Sequence, residues 1–136
     1  NTLSLCLIIT PTYLFLFAIF INMNVKINNN IFKVKTLVDK KSQSFGMMRK
    51  RFNKSFNGLL FLMEGKKQCF WMKNCIIPLD IILVKNKRIT KIHHNCKPCE
   101  SENCPNYCGF GDSVLELKGG TCKSLGLKEG NKIFFN

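Results

Sequence analysis

The sequence predicts a small, β-rich α+β domain that begins at about Met23 and contains two short helices. Three observations support this fold class. The chain has 136 residues, which suffices for one domain, and the part after residue 22 lies near the lower limit for a self-sufficient core. Apolar residues occur mostly in short runs that are separated by turn residues. Only two short segments carry helix-start signals.

The first elements are a hairpin and a helix. Apolar residues alternate through 24–38 around the turn Asn28-Asn29-Asn30, which predicts two antiparallel strands. Asp39 can cap a helix that runs from Lys40 to about Lys50. The apolar positions of that helix predict its buried stripe: Phe45, Met47 and Met48.

Three apolar runs follow and predict three further strands. They are Leu59 to Met63, Cys69 to Met72 and Leu79 to Val84. Glu64-Gly65-Lys66-Lys67 separates the first two runs, and Pro78 precedes the third. Asn86-Lys87 then provides a two-residue turn into a partner strand over Arg88 to His93.

The last third combines a loop with short regular elements. Residues 95–112 are rich in Cys, Pro, Asn and Gly, so they predict a long structured loop, and such loops often carry function or a crosslink. Ser113 to Leu117 predicts a strand, Gly119-Gly120 a turn, and Thr121 the cap of a helix to Leu125. Lys132 to Phe135 predicts the closing strand.

The first 22 residues are a separate apolar segment. Residues 3–21 carry no charge and have the length that spans a bilayer as a helix, which predicts a membrane anchor. Basic residues follow the segment and none precede it, so the domain would then be cytoplasmic. Alternatively, because the sequence opens with Asn, residues 1–22 are upstream read-through and translation starts at Met23. The domain would then be cytoplasmic without a membrane segment.

The charge balance favours association with anions. Lys and Arg number 21 against 8 Asp and Glu, a formal net charge of +13, which attracts polyanions weakly and without sequence preference. The alternative is that the lysines reflect composition and are scattered over a solvated surface. The longest basic run is Arg49-Lys50-Arg51, and the usual nucleic-acid-binding motifs are missing from the sequence.

Several runs resemble a known family, the domain of unknown function 192. The matching runs are FWMKNCIIPLDIILV (Phe70 to Val84), PCESENCPNY (Pro98 to Tyr107), VLEL followed by GG (Val114 to Gly120) and GLKEGN (Gly126 to Asn131). The resemblance implies a compact α+β fold on a curved, barrel-like, mostly antiparallel sheet, and no established activity. The sequence around the two histidines and the cysteine loop is similar to versions carried by marine cyanobacterial phages.

The cysteine loop is the first candidate site. Cys96, Cys99, Cys104 and Cys108 lie within 13 residues, a spacing that can wrap one tetrahedral Zn²⁺ or an iron-sulfur cluster. The alternatives are disulfides or free thiols, and the cellular compartment decides between them. The family resemblance covers Cys99 and Cys104 and implies a disulfide between them, whereas Cys96 and Cys108 depart from the family, as does Asn131 in place of a common Asp.

Two histidines precede the cysteine loop. His93 and His94 would point to opposite faces at the end of a strand, so at most one could join the cysteines as a ligand. The three remaining cysteines of the domain are most simply small buried hydrophobes: Cys69, Cys75 and Cys122.

The second candidate site is a groove next to the tryptophan. Strand alternation would place Trp71, Lys73 and Cys75 on one face. An ion pair between Lys73 and Asp80 could shape a pocket for a carbohydrate or an anionic ligand, with Trp71 as the stacking platform. The alternative is that Lys73 and Asp80 satisfy each other and Trp71 fills the core. The predicted ligand-binding set is Trp71, Lys73, Asn74, Asp80 and Tyr107.

These observations favour a small non-enzymatic binding or accessory module. The 8 acids and 2 histidines assemble into none of the usual sets of a Ser/His/Asp triad, paired carboxylates or a phosphate loop. A basic nucleic-acid-associated protein is the second interpretation. The third is an enzyme, either a thiol-redox protein that uses Cys96-Lys97-Pro98-Cys99 or a zinc hydrolase.

Overall fold

A computed structural model describes residues 23–136 of the chain. The elements are β1 (Met23–Ile27), β2 (Asn30–Leu37), α1 (Lys40–Phe45), β3 (Gly58–Phe70), β4 (Leu79–Lys85), β5 (Arg88–Cys96), β6 (Tyr107–Lys118), α2 (Thr121–Leu125) and β7 (Ile133–Phe135). No helix within residues 23–136 is long and apolar enough to cross a membrane. The predicted anchor, residues 3–21, lies outside the described part of the chain.

The seven strands form one sheet that curls towards closure. Their order is β5-β4-β6-β3-β2-β1-β7, and the described pairs are antiparallel except for β2 with β3. The two ends of this order meet, because Arg88 forms a β-bridge with Lys132 and the Ile89 amide donates to the Asn131 carbonyl at 3.0 Å. The predicted curved, barrel-like, mostly antiparallel fold with two short helices is therefore confirmed.

Strand alternation divides the core into two clusters on opposite faces of the sheet. The inner cluster draws on all seven strands and is closed by two residues of the α2 region, Cys122 and Leu127. The outer cluster covers the other face of β3, β4, β5 and β6. Chain segments that lie over this outer face contribute buried residues to it: Met47, Phe56, Met72 and Cys75.

Both predicted hairpin turns are present. β1 and β2 are joined through Asn28, whose φ is 55°. β4 and β5 are joined through Asn86 and Lys87, with φ values of 50° and 60°. Two consecutive left-handed residues match the twist of a two-residue hairpin, and Asn tolerates that conformation better than most residues.

The central strand is longer than the sequence predicts. β3 runs without interruption through the polar residues 64–67, which were expected to separate two strands, and it ends at Phe70 rather than Met72. Its register with β6 shifts between Leu62 and Lys66, which is the signature of a β-bulge. The bulge absorbs the extra residues, so polar composition alone did not end the strand.

The predicted loop over residues 95–112 is shorter in the structure. β5 continues to Cys96 and β6 begins at Tyr107, so the irregular segment is 97–106. The first half of β6 pairs with the end of β3, and Cys69 lies directly opposite Cys108 in this ladder. Pairing with a distant strand thus overrides the loop-forming composition of residues 107–112.

The helices also differ from prediction at their ends. Asp39 caps α1 as expected, since its carboxylate accepts the Ser42 amide hydrogen bond at 2.8 Å. The helix nevertheless ends at Phe45, which is exposed, because Gly46 follows with φ 45°. Among the predicted stripe residues only Met47 is fully buried. At α2 the N-cap residue is Gly120 rather than Thr121.

Candidate functional site

A cavity of about 230 Å³ lies on the outer face of the sheet, between β3, β6 and the covering segments. Its walls are aromatic rings, thioethers, the Cys75 thiol and the disulfide-bonded Cys69, with four polar side chains: Lys40, Gln43, Ser44 and Glu116. The lining includes Lys40 and Ser44 of α1, Met63 and Phe70 of β3, Trp71 and Glu116. Glu116 supplies the carboxyl group of this cavity.

Glu116 is buried because of its place in the central strand. It belongs to the sequence Val114-Leu115-Glu116-Leu117 of β6, and its register partners are Leu59 on β3 and Ile81 on β4. The side chain is 5% exposed, and its Oε2 atom has no hydrogen-bond partner among the described residues. A buried carboxyl oxygen without a partner is costly, so its retention calls for an explanation beyond packing.

Burial controls the protonation of Glu116. Desolvation raises the pKa of its carboxyl group to about 8, so the free carboxyl is largely protonated at neutral pH. Two free thiols lie close enough to be affected by its charge. Burial, and then the charge of Glu116, raises the pKa of Cys75 to about 11. The pKa of Cys96 is also raised to about 11, first by burial and then by Asp80 and Glu116.

The segment from Trp71 to Cys75 forms a turn rather than the predicted strand. The Cys75 amide donates to the Met72 carbonyl at 3.2 Å, and Met72 and Cys75 are both buried. The expected alternation, with Trp71, Lys73 and Cys75 on one face, is therefore wrong. Trp71 is 48% exposed and lines the Glu116 cavity, so it forms part of the wall rather than of the core.

Lys73 and Asn74 hold the cysteine loop against this turn. The Lys73 ammonium donates to the carbonyls of Glu100 and Ser101, at 2.9 and 2.7 Å. Asn74 adopts φ 59°, and its amide donates to the Cys99 carbonyl at 3.0 Å. These bonds occupy the Lys73 ammonium, and the predicted ion pair between Lys73 and Asp80 is not formed. Both residues act here in loop docking.

Asp80 is fully buried and satisfied by backbone amides. Its Oδ1 accepts from Asn95 at 2.8 Å and from Gly120 at 3.1 Å, and its Oδ2 accepts from Cys122 at 2.8 Å. Two of these amides belong to the start of α2, so Asp80 caps that helix in place of Thr121. Asp80 therefore ties together β4, β5 and α2 and lies outside the cavity lining.

The cysteine loop is crosslinked in the structure. Cys99 and Cys104 form a disulfide, which is the pair that the family resemblance implies. Cys108 is bonded to Cys69 across the β3–β6 ladder, so Cys69 is not the small buried hydrophobe expected from the sequence. The pairing leaves no four-thiolate set for the predicted zinc or iron-sulfur site. Within residues 23–136, no group of three or more potential ligands is arranged to hold a metal.

Cys96, the fourth cysteine of the predicted metal site, is not part of a disulfide. Cys96 is 2% exposed and free, and its Sγ donates to the His93 carbonyl at 3.4 Å. Because Cys99 is bonded to Cys104 and the pKa of Cys96 is raised, Cys96 and Cys99 do not form the reactive pair of a thiol-redox enzyme. The structure pairs Cys99 with Cys104 instead.

The remaining predicted residues lie beside the loop. His93 Nε2 contacts the Cys108 carbonyl at 2.8 Å, and its ring meets Tyr107 edge-on with centroids 5.4 Å apart. His94 is exposed. Tyr107 and His94 line an open depression over residues 94–107, away from the Glu116 cavity. Of the five predicted ligand-binding residues, only Trp71 lines that cavity.

Glu116 was not among the residues that the sequence predicted to be functional. A signal was present, because Glu116 is the single acid in the predicted strand over Ser113 to Leu117, and its neighbours Val114, Leu115 and Leu117 are apolar. Its burial could not be predicted from the sequence, because the segments that cover it, residues 40–48 and 69–75, are distant from it in sequence.

The family model described as DUF192, an "Uncharacterized ACR", matches residues 21–135. The chain belongs to the DUF192 family. No curated protein matches the sequence.

Two solved structures of similar fold also match the chain. A protein of unknown function from Novosphingobium aromaticivorans DSM 12444 is 30% identical, with a TM-score of 0.71, over 82% of this chain and 83% of that one. A protein from Sinorhizobium meliloti 1021, described as "a putative transcription regulator", is 29% identical, also with a TM-score of 0.71, over 83% of this chain and 91% of that one. Neither description names a ligand.

Proposed function

We propose that this DUF192 domain is a small-molecule binding module whose ligand occupies the Glu116 cavity. The observation that carries the proposal is the carboxyl group of Glu116: the residue lines the cavity, and its buried Oε2 atom has no hydrogen-bond partner among residues 23–136. A pocket with apolar walls and one well-placed polar group is the usual form of a ligand site. The site is thus displaced from the predicted groove at Lys73, and it keeps Trp71 at its edge.

The size of the cavity limits the ligand. A protein cavity of about 150 Å³ can hold benzene, so about 230 Å³ accommodates one ring with a small head group. The wall residues suit an aromatic ring, because Met63 and Phe70 offer thioether and aromatic contacts.

The test is carbon-13 NMR of the methionine methyl groups in the full chain, with small aromatic probes. Met47 and Met63 line the cavity and should shift together as a probe is added. Ser44, an exposed residue at the mouth, provides a blocking variant, Ser44→Phe, that should abolish the shifts. The matched control is Ser124→Phe on α2, since Ser124 is also exposed and lies outside the lining. Equal shifts in both variants would contradict the proposal.

A second candidate function, weak polyanion binding, rests on a different surface. The solvent side of β7, β1 and β2 carries Phe134, Lys26 and Ile31 in register, and Phe134 and Ile31 are 54% and 62% exposed. Lys33 and Lys35 extend the same side, and all 8 acids of the chain lie outside these three strands. Lysines beside an exposed aromatic ring, here Phe134, are typical of single-strand binding surfaces.

Salt dependence of binding to a single-stranded oligonucleotide tests this second candidate. Replacing Lys26, Lys33 and Lys35 by Gln should reduce the slope of log affinity against log salt by roughly 0.7 for each lost phosphate contact. The control replaces three exposed lysines elsewhere by Gln: Lys118, Lys123 and Lys128. Equal slopes for the two triple variants would remove the surface as a specific site, and indifference to the oligonucleotide would remove the function.

Two finer predictions from the sequence concern origin and location. The likeness to phage versions of the family stays a prediction, as does residence in the cytoplasm. The two disulfides bear on the second, because disulfides persist mainly in oxidising compartments. Mass analysis of the protein after alkylation without reduction, on material taken directly from its native host, would decide the thiol state.

A further inference from the structure

We infer that the Glu116 cavity takes an uncharged, single-ring ligand whose head group presents a hydrogen-bond donor beside an acceptor, as an amide or lactam does. This inference rests on the proposed function and specifies its ligand class. It follows from three features of the cavity: a buried carboxyl group, walls without a compensating charge at that carboxyl, and a volume that fits one ring.

The carboxyl group of Glu116 determines which hydrogen-bonding groups the head group of the ligand must present. A protonated carboxylic acid offers one O–H donor and one carbonyl acceptor in the same plane. An amide edge has the complementary acceptor and donor, so the two groups can form a pair of parallel hydrogen bonds. Such a pair satisfies the orphaned Oε2 atom of Glu116 and leaves no net charge inside the cavity.

An anionic head group is disfavoured at this position. Desolvation of a negative charge is what raises the pKa of Glu116, and a ligand carboxylate beside it would meet the same penalty. The one cation in the lining, Lys40, belongs to the first turn of α1 and is exposed. A carboxylate held there would leave the Oε2 atom of Glu116 without a partner.

A cationic head group meets a different obstacle. It would require Glu116 to ionise at a pH below its pKa, and the cation would have to approach a domain with a formal net charge of +13. Lys40 at the mouth adds to that repulsion. An uncharged ligand requires neither proton release nor entry against this field.

A pH-dependent binding experiment can be interpreted only if the titratable and charged groups near the cavity are known. Lys40 comes from α1, Cys75 from the turn after β3, and Cys96 lies close enough on β5 to sense the charge of Glu116. The pKa values of both thiols are raised to about 11, and Cys69 is held in a disulfide. Between the Glu116 carboxyl and these two thiols, the carboxyl, with its pKa raised to about 8, is the group whose ionisation changes between pH 6 and pH 9.

Four probes that share one ring separate the head groups: benzamide, benzamidine, benzoate and toluene. At pH 6.5 benzamide should bind tightest by the methionine methyl shifts. Its affinity should fall about tenfold by pH 9, where Glu116 is about nine-tenths ionised if its pKa is about 8. Glu116→Gln should keep benzamide affinity within about threefold and remove the pH dependence, because the Gln amide also offers a donor beside an acceptor. Glu116→Leu should reduce benzamide to the affinity of toluene.

Each alternative ranking overturns the inference. Benzamidine binding that strengthens up to pH 8 and is lost in Glu116→Gln would make the site a cation site. Tightest binding of benzoate would make it an anion site, and equal affinities for all four would leave a purely apolar pocket. If no probe moves the methyl signals of Met47 and Met63, the proposed function itself fails, which is a separate outcome.

Discussion

Two buried carboxyl groups lie on neighbouring strands of this sheet, and their surroundings are opposite. Asp80 on β4 and Glu116 on β6 are one register position apart, since Asp80 is paired with Leu117 and Ile81 with Glu116. Asp80 accepts three backbone hydrogen bonds. The Oε2 atom of Glu116 accepts none among the described residues. Adjacent positions in the ladder point to opposite faces, so each carboxyl meets a different layer.

The difference separates a scaffold group from a group available to a ligand. The face under Asp80 carries the N-terminus of α2 and a turn of β5, both of which have amides that need acceptors. The face under Glu116 carries mainly aromatic, thioether and thiol side chains, and the Gln43 and Ser44 side chains that also line the cavity donate to backbone carbonyls instead. Removing Asp80 should therefore damage the fold, while replacing Glu116 should spare the fold and change binding.

The largest effect is expected for Asp80→Ala. The substitution leaves the buried Cys122 amide and the partly buried Asn95 and Gly120 amides without an acceptor. At about 1 to 3 kcal/mol for each amide, less where water can enter, we expect a loss of about 4 kcal/mol in the free energy of unfolding. Urea denaturation measures it. The matched control is Asp112→Ala, which removes one bond to the Asn86 amide at the edge of a turn and should lose about 1 kcal/mol. Equal losses would contradict the scaffold role of Asp80.

The next effect is a pH-dependent stability difference for Glu116→Gln. The pKa of Glu116 is raised from 4.5 to about 8, so the folded protein holds this proton more tightly than the unfolded chain does. Its contribution is most favourable below pH 4.5 and is lost as the pH rises to about 8. We therefore expect the variant to gain about 3 kcal/mol over the wild type between pH 5 and pH 8, measured by urea denaturation.

Parallel stability curves for Glu116→Gln and the wild type would show that Glu116 is not buried in a low-polarity site. The comparison is internally controlled, because the other titrating groups are common to both proteins and cancel in the difference. Measuring the effect of Glu116→Gln a second time in an Asp80→Asn background shows whether Asp80 contributes to this pH-dependent difference in stability.

A smaller effect concerns the thiols next to each carboxyl. The pKa of Cys75 is raised mainly by burial and then by Glu116, and that of Cys122 is raised by burial and then by Asp80. At pH 8 both should resist iodoacetamide in the folded protein and react after unfolding, as located by peptide mass mapping. Cys69 and Cys108 should react only after reduction. Prompt alkylation of Cys75 in the folded state would show that the cavity wall is open.

The smallest stability effect is expected for Trp71→Ala. Because Trp71 is 48% exposed, the free energy of unfolding should change by less than about 1 kcal/mol, while benzamide affinity should drop about fivefold through loss of ring contact. Phe134→Ala is the matched control, since Phe134 is 54% exposed and lies outside the cavity. A large loss of stability in Trp71→Ala would assign the ring to the core instead.

The sequence predicted the local elements, but it did not predict the contacts between residues that are distant in sequence. The hairpin turns at Asn28 and Asn86, the cap at Asp39 and the strand pattern all follow from short-range chemistry. The length of β3 and the start of β6 do not, because they are set by pairing between strands that are far apart in sequence, such as Phe70 with Tyr107 and Gly58 with Leu117. The disulfide between Cys69 and Cys108 was not predicted for the same reason, since its two cysteines are 39 residues apart.

The sequence by itself determined a small β-rich domain, the order of its elements and the residues that form its turns, because alternation and turn preferences act over a few neighbouring residues. The tertiary structure alone decided which polar residues became available. It assigned Lys73 to two loop carbonyls, gave Asp80 three amides and left Glu116 facing a cavity. Burial and hydrogen-bond partners come from segments distant in sequence, so the chemical role of a carboxyl is fixed only when the sheet has closed over it.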